Sequence, residues 1–201
     1  MTPIVVCTIG SPALAVLEAS VKAYAPDAHF WVSRGKLGSF GADYNDAMAR
    51  AFEVYDEIII ANDDVVLTPT SYKTLLEDVQ SIKEAGVKAG LVGARSDAVR
   101  PLQDIRSESQ YRLKEVPVLS PLFAWMSKDA FEACKFPPIN WFSDDVLCLD
   151  LLKQGFRHFV SRAYVHHAGS TTIGHDHRAL TDAARPWIVA NRPEYAREWF
   201  Q

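Results

Sequence analysis

Asn62-Asp63-Asp64 places two adjacent carboxylates directly after the apolar run Ile58-Ile59-Ile60-Ala61. Carboxylate oxygens suit hard cations such as Mg²⁺ or Mn²⁺, which in turn bridge phosphates. The same tripeptide is also ordinary turn chemistry, with its side chains bonding local backbone, and the local sequence leaves both readings open. A second acidic pair, Asp144-Asp145, follows Trp141-Phe142-Ser143 at what reads as a helix start. There a carboxylate either offsets the helix dipole or serves as a general base for a hydroxyl group. Five of the six histidines follow residue 157, and His166-His167 close a strand-like run just before Ala168-Gly169-Ser170-Thr171-Thr172. At least one of that pair is expected to face a site. His175-Asp176-His177 cannot complete a tetrahedral zinc set without distant partners, and no cysteine cluster supplies them.

Other signals are weaker. Gly10-Ser11 follows the first apolar run but lacks both the dinucleotide-binding glycine pattern and the phosphate-loop lysine. No Gly-x-Ser-x-Gly elbow is present, which argues against an α/β-hydrolase. Trp125 and Trp141 are large enough to stack on a sugar ring, although aromatics in apolar runs more often belong to a core.

The elements that must position these residues alternate. Strands are expected at Ile4–Ile9, His29–Ser33, Glu57–Ala61 and Ala89–Gly93. Between them lie a helix capped by Ser11 with Pro12 in its first turn, a helix carrying Ala47, Met48, Ala51 and Phe52, and a helix opened by Pro69 and Thr70. Apolar strands alternating with helices predict an α/β fold, a mainly parallel sheet with helices on both faces. Such sheets bind ligands at the carboxyl ends of their strands. Ser96–Lys114 is polar, with Arg100, Arg106 and Arg112 following Arg95, and reads as a long functional loop. One or two strands follow in Val116–Ser127, then a helix over Asp144–Gln154 with Ser143 as cap, a strand over Arg157–Val165, and one or two C-terminal helices.

The chain has 201 residues, 48% of them hydrophobic, and a net charge of −4. This is enough for one well-buried core, expected as a single domain over residues 1–201. The negative charge argues against bulk electrostatic binding of nucleic acid. No run reaches the roughly 20 apolar residues of a membrane span. The N-terminus lacks a signal-peptide pattern, and Cys7, Cys134 and Cys148 are widely spaced, which points to reduced, buried thiols and a cytoplasmic setting.

Taken in order, these segments resemble the family 2 glycosyltransferases of the GT-A fold. Asn62-Asp63-Asp64 with Val65-Val66-Leu67 and Pro69 is similar to that family's acidic signature, and Asn45 to the asparagine of its preceding helix. Ser143-Asp144-Asp145 through Gly155-Phe156 is similar to its acidic helix, and Val165-His166-His167-Ala168-Gly169-Ser170 to its later histidine motif. The resemblance spans about residues 3–172. It implies a nucleotide-sugar donor, Mn²⁺ or Mg²⁺ on its diphosphate, and inverting transfer to a hydroxyl acceptor on a glycan, a protein or a modified nucleobase. It further implies that Thr8, Gly10, Ser11, Ser33 and Arg34 hold the nucleoside, with Asn45 nearby. Asn62, Asp63 and Asp64 would serve the metal and diphosphate, with His167 or His166 completing that site. Either Asp144 or Asp145 would be the base. The Gln-x-x-Arg-Trp signature of processive synthases is absent, which implies a non-processive enzyme. Two alternatives remain: a nucleotidyltransferase-like enzyme, although Gly10-Ser11-Pro12-Ala13 lacks the basic glycine loop such enzymes use, and a non-catalytic nucleotide- or sugar-binding module.

Overall fold

The computed structural model describes residues 1–106, 112–168 and 176–200. The chain runs through β1 (Ile4–Thr8), α1 (Leu14–Tyr24), β2 (Phe30–Arg34), α2 (Phe40–Phe52), β3 (Glu57–Ala61), β4 (Val65–Leu67), α3 (Ser71–Glu84) and β5 (Ala89–Arg95). A 3₁₀ turn at Pro101–Gln103 leads to β6 (Lys114–Val116), β7 (Phe123–Ser127), α4 (Lys128–Ala133), α5 (Ser143–Lys153) and β8 (Arg157–His167). Two C-terminal helices, α6 (His177–Asn191) and α7 (Pro193–Trp199), complete the fold.

The strands form one sheet in the order β2-β1-β3-β7-β5-β8-β4, with β6 also paired to β8. Strands β1, β2, β3, β5 and β8 share one direction, and β4, β6 and β7 oppose it. The alternation of strand side chains explains why helices cover both faces. In β3, Ile59 and Ala61 join a core under α1 and α3 that includes Leu17, Val21, Leu75, Val79 and Ile82. Ile58 and Ile60 face the other way, against Met48, Phe52, Leu147 and Leu151 of α2 and α5. Each isoleucine buried in this way contributes roughly 1.5–3 kcal/mol of hydrophobic stabilisation. The C-terminal helices add a third cluster, in which Ile188 and Tyr195 pack with Ile139, Val146 and half-buried Phe142 and Trp199.

Two helix starts differ from the sequence expectation. Residues 11–13 form a turn, with Ser11 Oγ accepting from the Ala13 N–H, and α1 begins only at Leu14. Ser143 lies inside the first turn of α5 rather than capping it, because its buried hydroxyl donates to the Pro137 carbonyl at 3.0 Å. Phe142 takes the cap position with φ +63°, the one non-glycine residue of positive φ among those described. The thiols differ too: Cys148 is buried, but Cys7 and Cys134 are only partly so, and none is in a disulfide.

Candidate active site

The β1–β3 edge comes first, because β1 pairs with β2 on one side and β3 on the other, and the ends of β1 and β3 are where chain connections diverge. Thr8 ends β1, and its hydroxyl donates to Asp63 Oδ2 at 2.5 Å while accepting the Gly10 N–H at 3.0 Å. Gly10 has φ +104°, a left-handed conformation that favours glycine. Burial raises the Asp63 pKa, and the Thr8 hydroxyl partly offsets this. Ser33 accepts from Arg50, and exposed Arg34 lies on the neighbouring strand end. Asn45 ties α2 to the 136 segment. Its amide donates to the Phe136 carbonyl at 2.8 Å and its oxygen accepts the Phe136 N–H at 3.1 Å.

Asp64 stands beside β8 because β4 pairs antiparallel with it, Val65 opposite His167. Asp64 is only 6% exposed, and its Oδ1 lies 3.2 Å from His167 Nε2. His167 Nδ1 lies 2.6 Å from the Ala98 carbonyl, which can only accept, so Nδ1 carries a proton. The tautomer is thereby fixed, with Nε2 aimed at a carboxylate. Burial disfavours a charged His167, yet the Asp64 carboxylate and the Ala98 carbonyl together hold its pKa above the ordinary value. Strand alternation sends His166 to the other side. It is exposed, and its Nδ1 lies 2.5 Å from Asp97 Oδ2, away from Asp64. Asp97 also accepts the His167 N–H, and these bonds lower its pKa against the effect of burial.

The second acidic pair opens α5. Asp144 Oδ2 lies 2.7 Å from Arg100 Nη2 and Asp145 Oδ1 lies 2.8 Å from Arg100 Nη1. Burial raises the Asp144 pKa to about 6, and the adjacent Asp145 charge adds to this. The two clusters share one short segment. Ala98 bonds His167 and Arg100 bonds the acid pair, and two residues of extended chain span at most about 7 Å.

Asp64 and His167 therefore meet beside the β4–β8 pair, Asp63 is tied to the end of β1, and the Ala98–Arg100 segment links His167 to the Asp144-Asp145 pair. The Arg100 bridge and Asp97 were not legible as such in the sequence. The polar loop after the fourth strand signalled only that arginines there had function. Trp125 belongs to the core, donating to Glu57, whereas half-buried Trp141 rests against the His177 ring at 5.2 Å. Gly169–Thr172 and His175 lie outside the described residues, as does the part of the 96–114 loop between 107 and 111.

The residues present fit a hard divalent cation. Asp64 offers carboxylate oxygen, and His167 offers a ring nitrogen whose partner nitrogen is already oriented by a carbonyl, as metal-bound histidines require. No group of three or more metal-type side chains is assembled among the described residues. No described helix is long and apolar enough to cross a membrane.

No protein-family model matches the chain, and no curated protein is detectably similar to it in sequence. Solved structures do share its fold. A197 from STIV matches with a TM-score of 0.60 at 15% identity, over 83% of this chain and 84% of that one. S. aureus TarS residues 1–349, solved with UDP-GlcNAc, matches at 0.60 and 15% identity, over 94% of this chain and 66% of that one. GalNAc-T7, solved with UDP, GalNAc and Mn²⁺, matches at 0.66 and 10% identity, over all of this chain and 50% of that one. The chain thus spans about half to two thirds of the latter two structures. Its fold is GT-A-like.

Proposed function

We propose that this protein is a glycosyltransferase that moves a sugar from a nucleotide-sugar donor to a hydroxyl acceptor with the help of a divalent cation. The observation that carries the reading is the His167–Asp64 pair. A buried imidazole with its tautomer fixed points a nitrogen at a buried carboxylate, an arrangement that suits a cation in place of a proton. Asp64 and His167 would hold Mn²⁺ or Mg²⁺ against the donor diphosphate, with Asn62 and Asp63 beside them. Bound there, the cation would supply Lewis-acid stabilisation of the leaving diphosphate.

The chain's own residues would do the rest. Thr8, Gly10 and Ser11 line the β1 end, where the backbone can approach a nucleoside diphosphate, and Ser33 and Arg34 flank it. Asp144 would accept the proton of the attacking hydroxyl as its oxygen bonds the anomeric carbon. The bond from that carbon to the diphosphate breaks with its electron pair leaving on the diphosphate. A carboxyl whose pKa is raised to about 6 is better matched to this proton transfer than an ordinary aspartate. Attack from the face opposite the leaving group would invert the anomeric centre, and the enzyme would release product after one transfer.

The fold neighbours solved with UDP-GlcNAc and with UDP, GalNAc and Mn²⁺ support UDP-sugars as first probes. The test is calorimetric titration with UDP, with and without Mn²⁺, followed by a UDP-release assay on UDP-GlcNAc and UDP-GalNAc with hydroxyl acceptors. UDP binding strengthened by Mn²⁺ supports the reading, and loss of that effect in Asp64→Asn localises it. Nucleotide binding without any transfer would favour a non-catalytic binding module.

A further inference from the structure

The guanidinium of Arg100 is shared between both carboxylates that open α5. Nη2 lies 2.7 Å from Asp144 Oδ2 and Nη1 2.8 Å from Asp145 Oδ1, while Nε donates to Ser120 Oγ at 2.9 Å. The side chain is about three-quarters buried, at 23% exposure, and each aspartate is about as sheltered. A planar fork engaged on both sides and along its stem fixes orientation in a way an ammonium group cannot.

The backbone that presents Arg100 is anchored on both sides. Three residues on, Gln103 is fully buried, and its amide donates to the carbonyls of Ala94 and Ser120 while its oxygen accepts the Ser120 N–H. Ser120 is thus held by Gln103 and holds Arg100. Upstream, Asp97 is bonded to His166 and to the His167 N–H, and the Ala98 carbonyl to the His167 ring. The segment is a strap with one end on the candidate cation ligand and the other on the acid pair.

We propose that Arg100 is the positioning residue of the acceptor side: its fork holds Asp144 and Asp145 in one fixed orientation and keeps the pair competent to take a proton from the acceptor. This rests on the transferase reading above. Two carboxylates on consecutive residues of a sheltered helix end repel each other, and one guanidinium leaves the trio with a single net negative charge. Without it, one carboxylate would be driven to hold a proton at neutral pH. The groups facing Asp144 are Arg100, Asp145, Ser120 and the buried Cys148 thiol, whose own pKa is raised chiefly by burial. Arg100 is the one cation among them. A carboxyl that holds the proton cannot act as base, and Asp144 is the one whose pKa burial and Asp145 already raise, so the consequence of losing Arg100 is chemical rather than only structural.

The test uses the full chain as Arg100→Met and Arg100→Lys, with thermal melting to confirm folding. Carboxyl-carbon NMR follows the Asp144 titration without substrate, and UDP-release kinetics are measured across pH with Mn²⁺. In Arg100→Met the Asp144 midpoint should rise by about one to three pH units, the size expected for loss of an adjacent opposite charge. The acid limb of kcat should move with it, and kcat at neutral pH should fall at least about tenfold while UDP·Mn²⁺ affinity stays within about twofold. Arg100→Lys should restore much of the midpoint but not full kcat, because the fork is lost. An unmoved midpoint in a folded Arg100→Met protein overturns the proposal. So does a kcat loss equal at every pH and matched by the same loss of UDP affinity. If the wild type transfers no sugar, the transferase reading and the catalytic role of Arg100 fail together. The titration then decides separately whether Arg100 sets the charge of the pair.

Discussion

His167 Nε2 lies 3.2 Å from Asp64 Oδ1 across the antiparallel β4–β8 pair, with the opposite ring nitrogen bonded to the Ala98 carbonyl. A neutral Nε2 would present a lone pair to a carboxylate oxygen. A proton on Nε2 would make that contact a hydrogen bond, and a cation held between the two groups would have to displace it.

Asp64→Asn keeps the shape and removes the charge. It should weaken Mn²⁺-dependent UDP binding at least about tenfold, measured by calorimetry, with secondary structure unchanged by circular dichroism. His167→Ala should do the same. His166→Ala should leave the Mn²⁺ dependence nearly intact, since that ring faces Asp97 on the other side of the strand. Equal losses from both histidines would remove His167 from the assignment.

The pH dependence of cation binding follows from the sign of the His167 shift. Its folded pKa lies above the ordinary 6.5, because the Asp64 and Ala98 contacts outweigh burial. The ion pair therefore stabilises the metal-free fold fully below the unfolded pKa and loses that contribution as pH rises through the folded value. Cation binding runs the other way, since ligation requires the neutral ring. Mn²⁺ affinity should fall as pH drops through a midpoint above 6.5, and proton release on Mn²⁺ binding, measured in buffers of different ionisation enthalpy, should peak there. A flat profile between pH 6 and 8 would contradict the ligand assignment.

Asp144→Asn should reduce transfer by about 10²–10⁴-fold while sparing nucleotide binding, the usual scale of general-base loss. In the wild type, activity should fall as pH drops through about 6, where Asp144 takes up its proton. Because its pKa is raised, the ionised form costs the folded state stability above that pH, so Asp144→Asn should melt no lower than wild type at pH 7.5. If Asp145→Asn is the inactive variant instead, the base is the neighbouring residue.

Gln103→Ala removes three buried hydrogen bonds and leaves the groups around Ser120 unpaired. A loss of about 1–3 kcal/mol is expected in urea unfolding. Activity should fall by more than the folded fraction explains, because Arg100 loses its bracing. A variant of wild-type stability would show that the strap is not anchored there.

Gly41→Ala tests the joint between α2 and the start of α5. An added Cβ would sit 1.7 Å from the Pro137 carbonyl oxygen and 2.8 Å from Ser143 Oγ. Backbone cannot yield that distance cheaply, so destabilisation should reach or exceed the top of the roughly 1–3 kcal/mol typical of overpacking. Chemical denaturation measures it directly.

What the sequence determined by itself was local and periodic. Ile58–Ile60 read as the clearest strand, because three successive β-branched apolar residues suit a chain that hides alternate side chains in two cores. The Asn62-Asp63-Asp64 step had to fall at that strand's carboxyl end, and the late histidines gave His166-His167 as a pair of which at least one should face a site, whereas His158 is a buried core residue bonded to Leu91 and Cys148. The order of strands was not readable, because the insertion of antiparallel β7 between β3 and β5 is decided by long-range pairing rather than by any local pattern. Strand alternation allowed only one of His166 and His167 to face the site and the family-like spacing to Gly169 favoured His167, but only the β4 register sets His167 opposite Val65 and beside Asp64. It also turned Arg100 from one arginine among several in a polar loop into the partner of Asp144 and Asp145. Those carboxylates are 44 and 45 residues away in sequence, and only the folded strap, anchored through Gln103 and Ala98, carries the guanidinium to them.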